Sequence, residues 1–364
     1  MKGRRWLNGG LCLLLLGGVV ILLMQPGDIS VPGLTGRERT LLRIWVTDSP
    51  GGAMNWLRGQ MRAFEKQHPG VSTYLRTVSA DELTDPDAVL PDVVLYMPGD
   101  VAIPEGLFLP ITGEMTARGN GLLREELLRC GRWRDSQYGL PLCWAGWVLS
   151  IDGALEPACA STPAPTTLLG KPAATAAAST PEPGYPMEAA SQAVCALQSP
   201  RGAALFSLRL LLDACPPLSQ DFATQTAADV YAAFRSGKCA TAMLTTGQVM
   251  ALTDRPFRVM TASEVITDLV WLGSVTQGAP KEAALLLAWL SAPSAQQALD
   301  RQGLHTVRQD LTLYATGVSA RVESAGKKSL TAINAYVEKQ QIESAAWQFF
   351  QGNITLDDAL LPLL

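Results

Sequence analysis

The chain has 364 residues, 48% hydrophobic and 17% charged, with a formal net charge of -4. That length and balance leave room for two folded domains and describe a globular, modestly acidic protein rather than a disordered one. Lysines and arginines are scattered, so no basic stripe exists to track a phosphate backbone, and nucleic acid is not an expected partner.

In chain order, Lys2, Arg4 and Arg5 precede an uncharged apolar run at residues 6–24, ended by Gln25 and Pro26. The run is about as long as a bilayer is thick, and positive charge ahead of it holds the N-terminus inside. No small-x-small cleavage site follows it. Residues 1–26 therefore read as an uncleaved transmembrane signal anchor and residues 27–40 as a linker. The remainder is expected on the extracytoplasmic face of the cell membrane. Cys12 lies too near the start of the run to serve as a lipid-anchoring cysteine. Beyond the run, Cys130, Cys143, Cys159, Cys195, Cys215 and Cys239 form no CxxC, which removes support for zinc or thioredoxin-like chemistry. Disulfides and buried thiols both stay open.

Residues 41–46 read as an apolar strand, followed by Thr47-Asp48-Ser49-Pro50-Gly51-Gly52 and a helix over 54–67 on which Met54, Leu57, Met61 and Phe64 recur at helical spacing. Residues 71–78 alternate as a second strand. The third, Pro91-Asp92-Val93-Val94-Leu95-Tyr96-Met97-Pro98-Gly99, is apolar enough to be central and parallel. Its end, at Tyr96 and Met97, falls where open α/β sheets place ligands. Residues 107–111 suggest a strand or turn, 122–128 a helix, and 132–136 one arm of a hairpin.

Residues 138–152 read as one long apolar crossing segment, with Trp144 and Trp147 offering flat faces either to a ligand or to a core. Residues 155–189, rich in Ala, Pro and Thr, read as an irregular connection. Helices follow at 203–215 and 227–236. Small apolar residues at 239–244 then lead into the polar loop Thr245-Thr246-Gly247-Gln248, which opens another helix. Such a helix start carries backbone donors suited to a hydroxyl or carboxylate. A buried strand is expected at 265–275 and a long amphipathic helix at 281–299. Two helices divided by Gln351-Gly352-Asn353 are expected within 330–363, the second capped by Thr355 with Asp358.

Several stretches together resemble the extracellular solute-binding proteins of ABC importers, in the family 1, maltose-binding-like group. They are Arg43-Ile44-Trp45-Val46, Phe64-Glu65-Lys66-Gln67-His68-Pro69-Gly70-Val71, Pro91-Asp92-Val93-Val94, Tyr138-Gly139-Leu140-Pro141, residues 234–243, residues 283–297, and Gln351-Gly352 ahead of residues 356–360. The resemblance implies an α/β, two-lobed periplasmic-binding-protein-like type II fold. Lobe 1 would be residues 41–142 plus 267–303, and lobe 2 residues 143–266 plus 304–364. It also implies a small-molecule ligand, most simply an oligosaccharide, held between the lobes and passed to an ABC permease, with no cofactor or metal. By position the ligand contacts would be Thr47, Asp48, Ser49, Tyr96, Met97, Trp144, Trp147, Thr245, Thr246 and Gln248. The chain departs from the pattern at Val249, where sugar-binding members usually carry a tryptophan nearby, and in the Ala/Pro/Thr-rich stretch, which normally supplies aromatic contacts. An alternative is a sensor or surface-assembly protein on the same fold whose cleft has decayed.

Catalysis has no foothold in the sequence. His68 and His305 adjoin no candidate nucleophile, and neither G-x-S-x-G, a P-loop nor H-E-x-x-H occurs. The pairs Glu125-Glu126 and Asp357-Asp358 are successive residues that point in different directions on their helices. A binding protein is expected rather than an enzyme.

Overall fold

The protein is described by a computed structural model covering residues 39–85, 89–112, 122–152, 167–169, 203–211, 227–239, 241–253 and 256–364. The expected anchor at 6–24 and most of the connection at 155–189 lie outside the described residues. Among those described, no helix is long and apolar enough to cross a membrane.

The chain opens as β1 (Thr40–Val46), α1 (Ala53–Gln67), β2 (Val71–Thr77), α2 (Ala80–Thr84) and β3 (Val93–Tyr96). The apolar periodicities decide this order. Leu42, Ile44 and Val46 alternate into the core, and α1 turns Ala53, Trp56, Leu57, Met61 and Phe64 inward. β1 lies parallel to both β2 and β3. β3 is buried at every residue, as a strand covered on both faces requires.

After α3 (Glu125–Cys130) and the hairpin β4 (Arg132–Trp133) and β5 (Ser136–Gln137), the expected single crossing segment proves to be two strands. They are β6 (Leu140–Trp144) and β7 (Trp147–Asp152), broken at Ala145-Gly146. β6 belongs to a five-stranded sheet of order β2-β1-β3-β12-β6, whereas β7 belongs to a four-stranded sheet of order β8-β10-β7-β9. The elements that complete these sheets are β8 (Thr167–Leu169), α4 (Ala203–Leu211), α5 (Ala227–Arg235), β9 (Thr241–Thr245), α6 (Thr246–Ala251), β10 (Phe257–Met260), β11 (Val265–Thr267) and β12 (Val270–Val275). β8 is a short paired strand inside the stretch expected to be irregular. The strand expected at 265–275 is also two, divided at Asp268-Leu269. β12 inserts antiparallel between β3 and β6, while β11 pairs in parallel with β13 (Leu330–Ala332).

The helix expected over 281–299 stops and restarts as α7 (Lys281–Leu290) and α8 (Pro293–Gln297). Pro293 has no amide for the helical ladder and sits in the first turn of α8, where none is needed. The chain then passes back along the crossing. Trp144 donates its N–H to the His305 carbonyl at 3.2 Å and His305 returns the bond at 2.8 Å. It ends as α9 (Gly317–Lys328), β13, α10 (Lys339–Phe350) and α11 (Leu356–Leu360).

Candidate functional site

The strand ends of the first sheet and the start of α6 come together at one place. Ala53 continues from a Gly51-Gly52 turn that lies against Gly247 and Gln302-Gly303. A Cβ on Gly247 would stand 3.0 Å from the Gly51 carbonyl oxygen and 2.9 Å from that of Gln302, so the close approach requires glycine there. Thr246 reinforces the contact by donating its hydroxyl to the Gly303 carbonyl at 2.7 Å.

On the first-sheet side, Trp271 donates its indole N–H to the Asp48 carbonyl at 2.9 Å and fixes the loop after β1. The Asp48 carboxylate accepts the amide of Ser49 at 2.6 Å. Asp48 is exposed and Ser49 half-buried, so both present polar atoms outward. Asp100, which sequence reasoning passed over, organises the neighbouring loop. One of its oxygens accepts the Thr47 hydroxyl at 2.8 Å and the Met97 amide at 2.9 Å, and the other lies 2.7 Å from the Lys339 ammonium. An aspartate four residues beyond the end of β3, after Pro-Gly, was the available signal.

On the α6 side, Thr245 and Gln248 form a reciprocal capping box. Gln248 N–H donates to Thr245 Oγ1 at 3.2 Å, and Thr245 N–H donates to Gln248 Oε1 at 2.9 Å. These side chains start a helix, and Thr245 and Thr246 are buried while Gln248 stays half-buried.

The expected aromatic faces are closed. Tyr96 is 0% exposed, its ring stacked on Phe108 at 5.4 Å and its hydroxyl 2.9 Å from both Ser274 Oγ and the Tyr336 hydroxyl. Ser274 in turn donates to the Tyr138 carbonyl at 2.7 Å. Burial pushes the phenols of Tyr96 and Tyr336 well above their ordinary titration range.

Trp144 is also 0% exposed. It stacks on His305 at 4.3 Å and donates its indole N–H to the Thr306 carbonyl at 2.9 Å. Gly326 of α9 lies against the edge of the indole, where a Cβ would come within 2.7 Å of Cη2. Trp147, 5% exposed, donates to Asp268 Oδ1 at 3.1 Å, and Met97 is 1% exposed. The sequence placed these four side chains beside a cleft because they flank strand ends. The structure turns them into the packing between elements, since every indole and phenol has a polar partner inside the protein. Thr47, Asp48, Ser49 and Gln248 are the expected residues that keep solvent access, and the Thr47 hydroxyl already donates to Asp100.

Two further buried groups lie at the crossing. Neither ring nitrogen of His305 has a hydrogen-bond partner, and burial together with the charge of Arg124 pushes its pKa down to about 3. Arg124 donates to the Gly326 carbonyl. Among the described residues, no group of three or more His, Cys, Asp or Glu side chains could hold a metal ion.

No protein-family model matches the chain, and no curated protein does. Solved structures do. The GacH receptor of Streptomyces glaucescens, studied unliganded and with acarbose, is 13% identical with a TM-score of 0.62, over 89% of this chain and 96% of that one. The maltose/maltodextrin-binding domain MalE of Bdellovibrio bacteriovorus, bound to maltotriose, is 13% identical with a TM-score of 0.55, over 88% and 96%. The maltose-maltodextrin binding protein of Alicyclobacillus acidocaldarius is 12% identical with a TM-score of 0.53, over 89% and 98%. At such identities the likeness is one of architecture, and it gives the chain the two-lobed α/β fold of the maltose-binding-type proteins.

Proposed function

We propose that the chain is an extracytoplasmic carbohydrate-binding protein, tethered to the membrane by residues 6–24, that captures an oligosaccharide between its lobes and delivers it to an ABC permease. The observation that carries the reading is the apposition of the Asp48-Ser49 loop with the start of α6, across the contact of Gly51 with Gly247. The loop after β1 lies at the carboxyl end of a strand, where open α/β sheets place ligands, and Asp48, Ser49 and the half-buried Gln248 side chain carry the polar atoms that a polyhydroxylated ligand needs. Structures of the same architecture carry names that specify acarbose, maltotriose and maltodextrin, which supports sugar as the ligand class. In this reading Asp48, Ser49 and Gln248 touch the ligand, whereas Tyr96, Met97, Trp144, Trp147, Thr245 and Thr246 form the frame that positions them.

The test is a thermal-shift and calorimetric screen of the extracytoplasmic portion against malto-, manno-, xylo- and chito-oligosaccharides, with amino acids and polyamines as controls. A ligand that binds the folded state alone raises Tm with its concentration. Stabilisation by at least one sugar series is expected, and no shift with any of them would overturn the carbohydrate reading. A second reading, a sensor or surface-assembly protein with a closed cleft, is favoured by the sealing of Tyr96 beneath Tyr336. Sugar uptake that survives deletion of this gene would support it over transport.

A further inference from the structure

Helix α1 carries Arg58, Arg62 and Lys66, which look scattered in the sequence but stand four residues apart, so the helix sets them in one row about 12 Å long. All three are exposed, on the side opposite the buried Trp56, Leu57, Met61 and Phe64. Among the described residues none of the three has an ion pair. The one carboxylate of the helix, Glu65, is engaged elsewhere, accepting the amide and the hydroxyl of Thr73 at 2.6 Å each. Cations of the neighbouring strands are neutralised, Arg43 by Asp92 at 3.1 Å and Arg76 by Glu82 at 2.7 Å.

Helix stability does not account for the row. Like charges four apart on a helix repel, and of the three only Lys66, in the last turn, complements the helix dipole. In a chain of net charge -4, cations held together without counter-charges call for an anionic surface outside the protein. Their place says which. α1 ends at Gln67, and just beyond it the Gly70 carbonyl accepts the Thr40 amide at 2.8 Å, so β1 begins beside the Lys66 end of the row. Arg39, also exposed, precedes β1. Residues 25–39 separate the apolar run at 6–24 from β1, and fully extended they reach about 50 Å. The row therefore stays within reach of any bilayer that holds the run, where lipid headgroups supply the missing negative charge.

We propose that the exposed face of α1, through Arg58, Arg62 and Lys66, rests on an anionic phospholipid surface and lays the first lobe against the bilayer, with the candidate site at the other end of the helix. The proposal rests on the tether reading above, so the tether is read separately. The full chain is placed in nanodiscs of phosphatidylcholine alone, or of equal parts phosphatidylcholine and phosphatidylglycerol. Acetylation of each lysine by a water-soluble ester is then followed by mass spectrometry. Lys66 should react about fivefold more slowly in the anionic discs, the size of effect that one cation gains beside such a surface. Lys327 and Lys328 of α9 should react alike in both.

Arg58→Gln combined with Arg62→Gln, both at exposed positions, should bring the difference at Lys66 below about twofold, and high salt should do the same by screening. Equal rates at Lys66 in the two lipids would overturn the contact, as would slowing of the same size at Lys327 and Lys328. Slowing that survives the substitutions and the salt would also overturn it, by taking the contact away from this row. An alkaline carbonate wash of membranes reads the tether alone. Release of the chain would refute the tether, and labelling with the same lipids added as vesicles would still uphold or overturn the role of the α1 face.

Discussion

His305 and Trp144 show what a fully enclosed residue pair costs and supplies. The imidazole lies flat on the indole and edge-on to Tyr314 at 5.4 Å, with both nitrogens unpartnered, so only the neutral ring is tolerated. Its pKa is about 3 folded, against 6.5 ordinarily. Between those values the unfolded chain binds the extra proton, so the folded state is fully favoured above the ordinary value and loses ground as pH falls toward 3. The slope approaches about 1.4 kcal/mol per pH unit. Urea denaturation at pH 7 and pH 4.5 should show a smaller loss for His305→Gln than for the parent, and an identical loss would assign the acid sensitivity to other groups. Trp144→Ala should destabilise by about 3–5 kcal/mol, because it leaves a cavity between His305 and Gly326. A folded Trp144→Ala protein of unchanged stability would mean that the ring packs against nothing that matters.

At the scale of elements, the box that opens α6 gives a sharper test of the site than any aromatic. Thr245→Ala removes the acceptor for the Gln248 amide and should cost about 1 kcal/mol of stability. A larger effect on sugar affinity than on stability would show that the helix start also touches ligand. The pattern Thr-x-x-Gln is written plainly at residues 245–248, yet a polar loop at a strand end invites a binding role just as readily. The unit β1-α1-β2 was legible because its apolar residues repeat at periods of 3.6 and 2, and β3 because it is one unbroken apolar run. Helix α9 was not. It buries Val318, Ser319, Val322, Glu323 and Gly326, a face too polar and too small to show as a stripe. Breaks within 138–152 and 265–275 escaped notice because both halves of each run are buried, so hydropathy does not change where the chain changes sheets. The contact of Tyr96 with Tyr336 spans 240 residues and has no local signature at either end.

Across the whole molecule, the strand order has a bearing on how the protein is made. β12 stands between β3 and β6, yet it is formed by Val270–Val275. Until that stretch leaves the ribosome, β3 carries one open ladder flank of apolar residues, a template for illicit pairing between nascent chains. A version halted after residue 260 should stay protease-sensitive and prone to aggregate, while one halted after 299 should gain a protected fragment. Early resistance in the shorter version would refute this. Synthesis thus leaves the growing polypeptide unfinished over most of its length, the loose condition in which a chain can be threaded through a translocation pore before it sets.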